Sequence, residues 1–255
     1  MWQAIHNKIR RSFSDAALNY EVLSSLHKEI GRELVRKVID QSCSHILDVG
    51  TGTGYLANKA QFYFPEAMVV GMDIADGMVL EANKLKEGIR IVQGDACALP
   101  FGQNVFDLVI SNLAYQWVGD LEAAFCQAHN CLAPNGKLCA TVFGRRTFYE
   151  LFETMHAFLP QKSVHRLPDS ERLEAALISA GFKDVHLDYE IIKVQFEDLM
   201  DVLRWIKGIG ANVLNDDVTL GKQMIAQMND HYRLNHPYFN GVCATFEVIW
   251  LSAQK

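Results

Sequence analysis

"HILDVGTGTGYLA", residues 45–57, places three glycines at alternate positions directly after a short apolar run. A glycine cluster costs backbone entropy, so Gly50, Gly52 and Gly54 mark either positive φ angles or a backbone that something approaches closely. The apolar "HILDVG" before them reads as a short buried strand, and "YLANKAQFYF" after them as a helix ended by Pro65.

The same alternation continues outward. "AMVVGMDI" is a second strand, followed by a helix over 76–87, and "IRIVQGD" a third. "VFDLVIS", the helix "LEAAFCQAHNCL" and "GKLCATVF" come next, with the turn "APNG" at 133–136 before the fifth strand. Strands alternating with helices at this spacing predict βαβ units and a parallel sheet covered on both faces. Upstream, "VLSSLHKEIGRELVRKVI" (22–39) repeats apolar residues at helical spacing. Downstream of Phe143 the rhythm changes: helices over 147–159 and 169–180, the β-rich "FKDVHLDYEIIKVQF", helices over 197–207 and 218–229, and a closing apolar strand "GVCATFEVIWLSA". With no linker in view, one domain is expected over 1–255. It would comprise an N-terminal helical segment (1–40), a cofactor-binding core (41–145), and sheet completion with a substrate lid (146–255).

Composition narrows the function classes. The chain is 49% hydrophobic and 21% charged, which suits an ordinary globular protein. No apolar run is long enough to span a bilayer, and "MWQAIHNKIRRSFSDAALNYE" lacks the apolar segment of a secretory signal, so neither membrane association nor export is expected. Six cysteines without a C-x-x-C pair suggest reduced structural thiols in the cytoplasm. Of nine histidines, His231 and His236 come nearest to a pair, without a third ligand, so no metal site is expected. A net charge of −6 argues against broad nucleic-acid binding. Local basic patches remain at Lys8 to Arg11, at Arg145 and Arg146, and at Arg204 and Lys207.

In an open α/β sheet, ligands sit beyond the carboxyl ends of the strands, where the glycine loop lies. The visitor could be a dinucleotide or S-adenosylmethionine. Pyrophosphate loops read G-x-G-x-x-G, whereas this loop reads Asp48-x-Gly50-x-Gly52-x-Gly54. A carboxylate ahead of the loop repels pyrophosphate and suits an ammonium and a sulfonium. Asp73, at the end of the second strand with Ile74 beside it, can accept from both ribose hydroxyls of either visitor. After the third strand, Asp95 can accept from an adenine amino group while Ala96 leaves room for the ring. Asn112 ends the fourth strand at the reactive end of the ligand, and Trp117 is a candidate wall.

Taken in order, D-x-G-x-G-x-G, D, G-D-x-x-x-L-P-F and F-D-L-V-x-S-N resemble the class I S-adenosylmethionine-dependent methyltransferases over residues 40–145. "FSDAALNYE" (13–21), "SNLAYQWVGDL" (111–121) and "WIKGIGA" (205–211) are similar to the malonyl-acyl-carrier-protein O-methyltransferases of biotin synthesis. Asp15 stands where that family has arginine, Glu21 replaces its aspartate, Thr51 its cysteine between the first glycines, and Ile206 a leucine.

The resemblance implies a Rossmann-like fold with a mostly parallel seven-stranded sheet, helices on both faces and an added helical lid. It implies S-adenosylmethionine as methyl donor, leaving as S-adenosylhomocysteine, held by Asp48, Gly50, Thr51, Gly52, Gly54, Asp73, Ile74, Asp95, Ala96 and Asn112. The acceptor it implies is the free carboxylate of malonyl on acyl-carrier protein, an acidic partner docking on a basic patch such as Lys8, Arg10 and Arg11, or Arg145 and Arg146. A carboxylate, with an ordinary pKa of about 4, is already ionised at neutral pH, so no acid–base residue is nominated. Tyr20, Trp117, Arg204 and Lys207 are the substrate-side candidates. The rivals are a quinone C-methylating or aconitate-type methyltransferase, a non-catalytic S-adenosylmethionine-binding protein and a nicotinamide oxidoreductase.

Overall fold

The computed structural model describes residues 2–84, 88–159, 167–211 and 221–255. Strands β1 (His45–Val49), β2 (Met68–Asp73), β3 (Ile89–Gln93), β4 (Phe106–Asn112) and β5 (Leu132–Phe143) pair in parallel in the order β3-β2-β1-β4-β5. Their side chains alternate between two cores. Leu47, Val49, Val70, Met72 and Val109 pack under α5 (Leu121–Cys131) and α7 (Ser170–Ser179). Ile46, Val69, Leu108 and Ile110 pack under α2 (Ser25–Arg36) and α3 (Tyr55–Tyr63). Covering both faces explains why these strands read as continuous apolar runs.

Beyond β5 the sheet turns antiparallel. β8 (Gly241–Gln254), last in sequence, inserts between β5 and β6 (Lys183–Phe196). The seven-strand path is therefore β3-β2-β1-β4-β5-β8-β6, as the resemblance implied, with an eighth two-residue strand, β7 (Pro237–Tyr238), hairpinned onto β8. Helices α6 (Tyr149–Phe158), α8 (Leu199–Gly208) and α9 (Lys222–Asn235) share a third core with Phe246 and Val248 of β8.

Some boundaries move. The helix expected over 22–39 covers only 25–36, because a separate helix, α1 (Trp2–Leu23), precedes it. Helix α4 (Asp76–Ala82) is shorter than expected, residues 85–87 lying outside the described set. Strand β5 begins at Leu132 and so takes in the "APNG" turn, where Asn135 adopts φ 65°. The helix expected over 218–229 is α9, running on to Asn235, with residues up to 220 outside the described set.

Candidate active site

β1 has β2 on one side and β4 on the other, so the strand order reverses where the glycine loop leaves the sheet. That loop is pinned by its own backbone: the Gly50 and Thr51 N–H groups donate to the Met72 carbonyl at 2.8 and 2.9 Å. Gly50 has φ 74°, and a Cβ there would stand 2.2 Å from Cβ of Ala114. Gly52 has φ 57°, lines the cavity, and a Cβ on it would meet no protein atom within 4 Å. The first glycine is needed by the protein, while the second leaves space on the ligand side.

A cavity of about 470 Å³ opens beyond the strand ends, within the range of small-molecule sites. Gly50, Gly52, Asp73, Ile74, Asp95, Ala96, Asn112, Tyr20 and Trp117 all line it. Asp73 is buried and uses both oxygens, Oδ2 accepting from Gly52 N at 2.9 Å and Oδ1 from Ala75 N at 2.8 Å. Burial raises its pKa despite the bonds from the Ala75, Gly52 and Ile74 N–H groups. Asp95 accepts from Cys97 N at 2.9 Å and faces His6 Nε2 at 3.3 Å. Asn112 joins elements: Nδ2 donates to the His27 carbonyl at 2.9 Å, and Oδ1 accepts from Thr141 Oγ1 at 2.8 Å. The next residue, Leu113, takes φ 55° at the cavity edge, held by Thr141 through its N–H. A non-glycine there stores about 1–3 kcal/mol of strain, a feature concentrated at functional sites.

Asp48, Thr51 and Gly54 are not among the lining residues. Asp48 lies fully buried behind the loop, accepting from Thr51 Oγ1 at 2.7 Å. Burial, with the nearby charge of Asp73, pushes its pKa up to about 7, against the bond from Thr51. Gly54 caps α3 in the left-handed conformation.

The cover over the cavity is α1, through His6, Ile9, Phe13 and Tyr20. The sequence alone leads to a lid in 146–255 and, within 1–23, to Tyr20 and a basic patch, although His6, Ile9, Phe13 and Tyr20 all fall on one helical face. Polar clasps run along the helix. His6 meets Asp95, Arg10 and Ser14 meet Asp76 at 3.3 and 3.0 Å, and Glu21 accepts from Thr53 of the glycine loop.

A small annex of about 40 Å³ shares Phe13, Tyr20, Leu113 and Trp117 with the main cavity. Phe148, Phe152, Trp205 and Ile209 make its walls apolar, and His27, Gln116 and Thr147 give it polar atoms. Trp117 packs edge-on against Phe13 at 5.4 Å between the two spaces. Burial, then the charges of Asp73 and Glu21, raises the Tyr20 phenol well above its usual pKa, so it stays a donor.

Arg204 and Lys207 line neither space: both are exposed, and Arg204 pairs with Asp201 at 3.3 Å. Their helix turns Trp205 and Ile206 inward, and Trp205 Nε1 donates to the Leu23 carbonyl at 3.1 Å. Gly208 lets α8 meet α1, since a Cβ there would come within 2.2 Å of Leu23 Cδ1. The late glycine motif is therefore a packing device between helices.

A family model described as a methyltransferase domain matches residues 47–140. The malonyl-[acyl-carrier protein] O-methyltransferase of Hahella chejuensis is 31% identical over 95% of this chain and 88% of its own. The protein of the same name from Geobacter sulfurreducens is 30% identical over 95% of this chain and 96% of its own. Among solved structures, the YcgJ protein of Bacillus subtilis superposes with a TM-score of 0.63 at 17% identity, covering 88% of this chain and 97% of its own. Phosphoethanolamine N-methyltransferase 2 of Haemonchus contortus, in complex with S-adenosyl-L-methionine, does so with a TM-score of 0.60 at 18% identity, over 95% and 57%. These neighbours share the class I methyltransferase architecture, and by its full-length relatives the chain belongs to the malonyl-[acyl-carrier protein] O-methyltransferase family.

Proposed function

We propose that this protein methylates the free carboxylate of malonyl-acyl-carrier protein, making a biotin precursor in the cytoplasm. One observation carries the reading: a cavity of about 470 Å³ at the strand-order switch adjoins a mostly apolar annex that shares Phe13, Tyr20, Leu113 and Trp117 with it. The residues present fit the donor. Gly52 leaves open space on the cavity side, and Asp73 and Asp95 supply carboxylate oxygens where hydroxyl and amino groups would lie. Asp48 acts from behind the loop, where it holds Thr51 in place. S-adenosylmethionine, when bound, supplies an activated methyl group on a positive sulfur and leaves as S-adenosylhomocysteine.

The chain's own task is positioning. An ionised carboxylate needs no base, so the rate depends on holding its oxygen in line and excluding water. Tyr20 and Trp117 line both spaces, and α1 covers part of the cavity. Six free cysteines fit a reducing compartment.

The test is the intact mass of the carrier after incubation with S-adenosylmethionine. Malonyl-carrier protein should gain one methylene, and acetyl-carrier protein none. No gain while S-adenosylmethionine still binds would remove the acceptor assignment and leave the donor site standing.

A further inference from the structure

Two side chains that line the annex each carry a buried polar atom without a hydrogen-bond partner among the described residues, Nδ1 of His27 and Oε1 of Gln116. His27 sits on α2 at 8% exposure, with its ring edge-on to Tyr20 and Phe143 at 5.9 and 5.6 Å and tilted against Trp205 at 5.7 Å. Its backbone is fixed by the bond from Asn112. Gln116 is 3% exposed, and its amide orientation is set by Nε2 donating to the Leu113 carbonyl at 2.8 Å. Buried polar atoms are nearly always satisfied, so two orphans on side chains lining one small space call for a partner from outside the chain, a ligand group or a bound water. No lysine or arginine is among the described residues that line the annex.

Resting on the O-methyltransferase reading, we propose that His27 anchors the acceptor's carboxylate through a single hydrogen bond from its neutral ring. The proton then lies on Nδ1, which donates to one carboxylate oxygen and leaves the other free to react. An arginine would hold both oxygens and blunt the nucleophile. Gln116 Oε1, an acceptor, takes an N–H of the acceptor's arm or an O–H of water beside it. The aromatic walls strip water from the carboxylate, while the cationic donor in the adjoining cavity balances its charge. Burial pushes the His27 pKa down to about 4, which makes the ring a poor base and keeps it a neutral donor.

Two variants and a spectroscopic readout test this. His27→Phe keeps the ring and removes the donor, and His27→Gln restores a donor. In H27F, kcat/KM for malonyl-carrier protein should fall about 10- to 100-fold while S-adenosylmethionine affinity stays within about twofold, and H27Q should recover most of the loss. In the unmodified protein, the His27 ring nitrogen resonance should shift when malonyl-coenzyme A and S-adenosylhomocysteine are added, and stay put with acetyl-coenzyme A. This readout needs neither turnover nor a folded variant. Unchanged kcat/KM in H27F, or a ring signal blind to the malonyl group, would overturn the anchor and leave a histidine bonded only to buried water. If the unmodified protein fails to methylate malonyl-carrier protein, the functional reading fails first and the anchor falls with it.

Discussion

Gly50 and Gly52 occupy neighbouring turns of one loop yet answer to different demands. At Gly50 a Cβ collides with Ala114, and φ is already positive, so Gly50→Ala should cost about 2–4 kcal/mol and disorder the loop. At Gly52 the protein leaves the Cβ position open, so Gly52→Ala should cost only about 1–2 kcal/mol of backbone strain. It should still weaken S-adenosylmethionine binding by more than about tenfold, because the methyl occupies ligand space. Denaturant melts beside calorimetric titrations would separate the two effects; equal stability losses would sink the distinction. Asp48 makes a pH-dependent prediction. Its folded pKa is raised to about 7 from an unfolded value near 4, so between those values the folded state holds the extra proton. Stability is then lost as pH rises through that window. Asp48→Asn keeps an oxygen acceptor for Thr51 without the charge. The stability difference, variant minus wild type, should climb from pH 4 to pH 7 by a few kcal/mol, on the order of 3. A flat difference would show that Asp48 is charged throughout.

At the scale of elements, α1 and α8 decide what the cavity can admit. Helix α1 is fastened at Asp95, Asp76 and Thr53, three separate points along the rim, and α8 buttresses it from the far side through Trp205 and Gly208. Within α8, adjacent residues have opposite fates because successive side chains point about 100° apart. Arg204→Ala should leave turnover within about twofold, since an exposed i,i+3 pair contributes well under 1 kcal/mol. Trp205→Ala should cost about 3–5 kcal/mol and disturb the annex, raising KM for the acceptor. Thermal melts and steady-state kinetics on both variants check the pair. A large kinetic effect at Arg204 with unchanged stability would reinstate it as a substrate residue.

For the whole molecule, a net charge of −6 opposes the approach of the acidic carrier proposed above, so that proposal requires local positive charge. Arg11 is exposed on the covering helix, and Arg145 is exposed after β5 while pairing with Asp169 at 3.5 Å. Arg11→Glu and Arg145→Glu should each raise KM for malonyl-carrier protein several-fold, on the order of 3- to 10-fold, with a steep salt dependence. KM for malonyl-coenzyme A should move far less. Equal effects on both substrates would count against a carrier-docking face.

The parallel core and the glycine loop could be read from the chain because their determinants are local. Each strand, loop and helix lies within a short window, and burial on both faces writes itself as continuous apolar runs. Asp73, Asp95 and Asn112 could be placed beside the cavity for the same reason, each sitting at or just past the carboxyl end of a legible strand. The covering role of α1 was written in the spacing of His6, Ile9, Phe13 and Tyr20, but a helical face does not say what it faces. Tertiary structure alone decided the annex. Insertion of β8 between β5 and β6 brings α8 toward α1, and the annex draws its walls from α1, α2, the segment after β4, the start of α6 and α8. No pattern in any one window joins His27, Gln116 and Trp205. Their meeting depends on long-range packing, and so does the inward turn of Trp205 that leaves Arg204 and Lys207 in solvent.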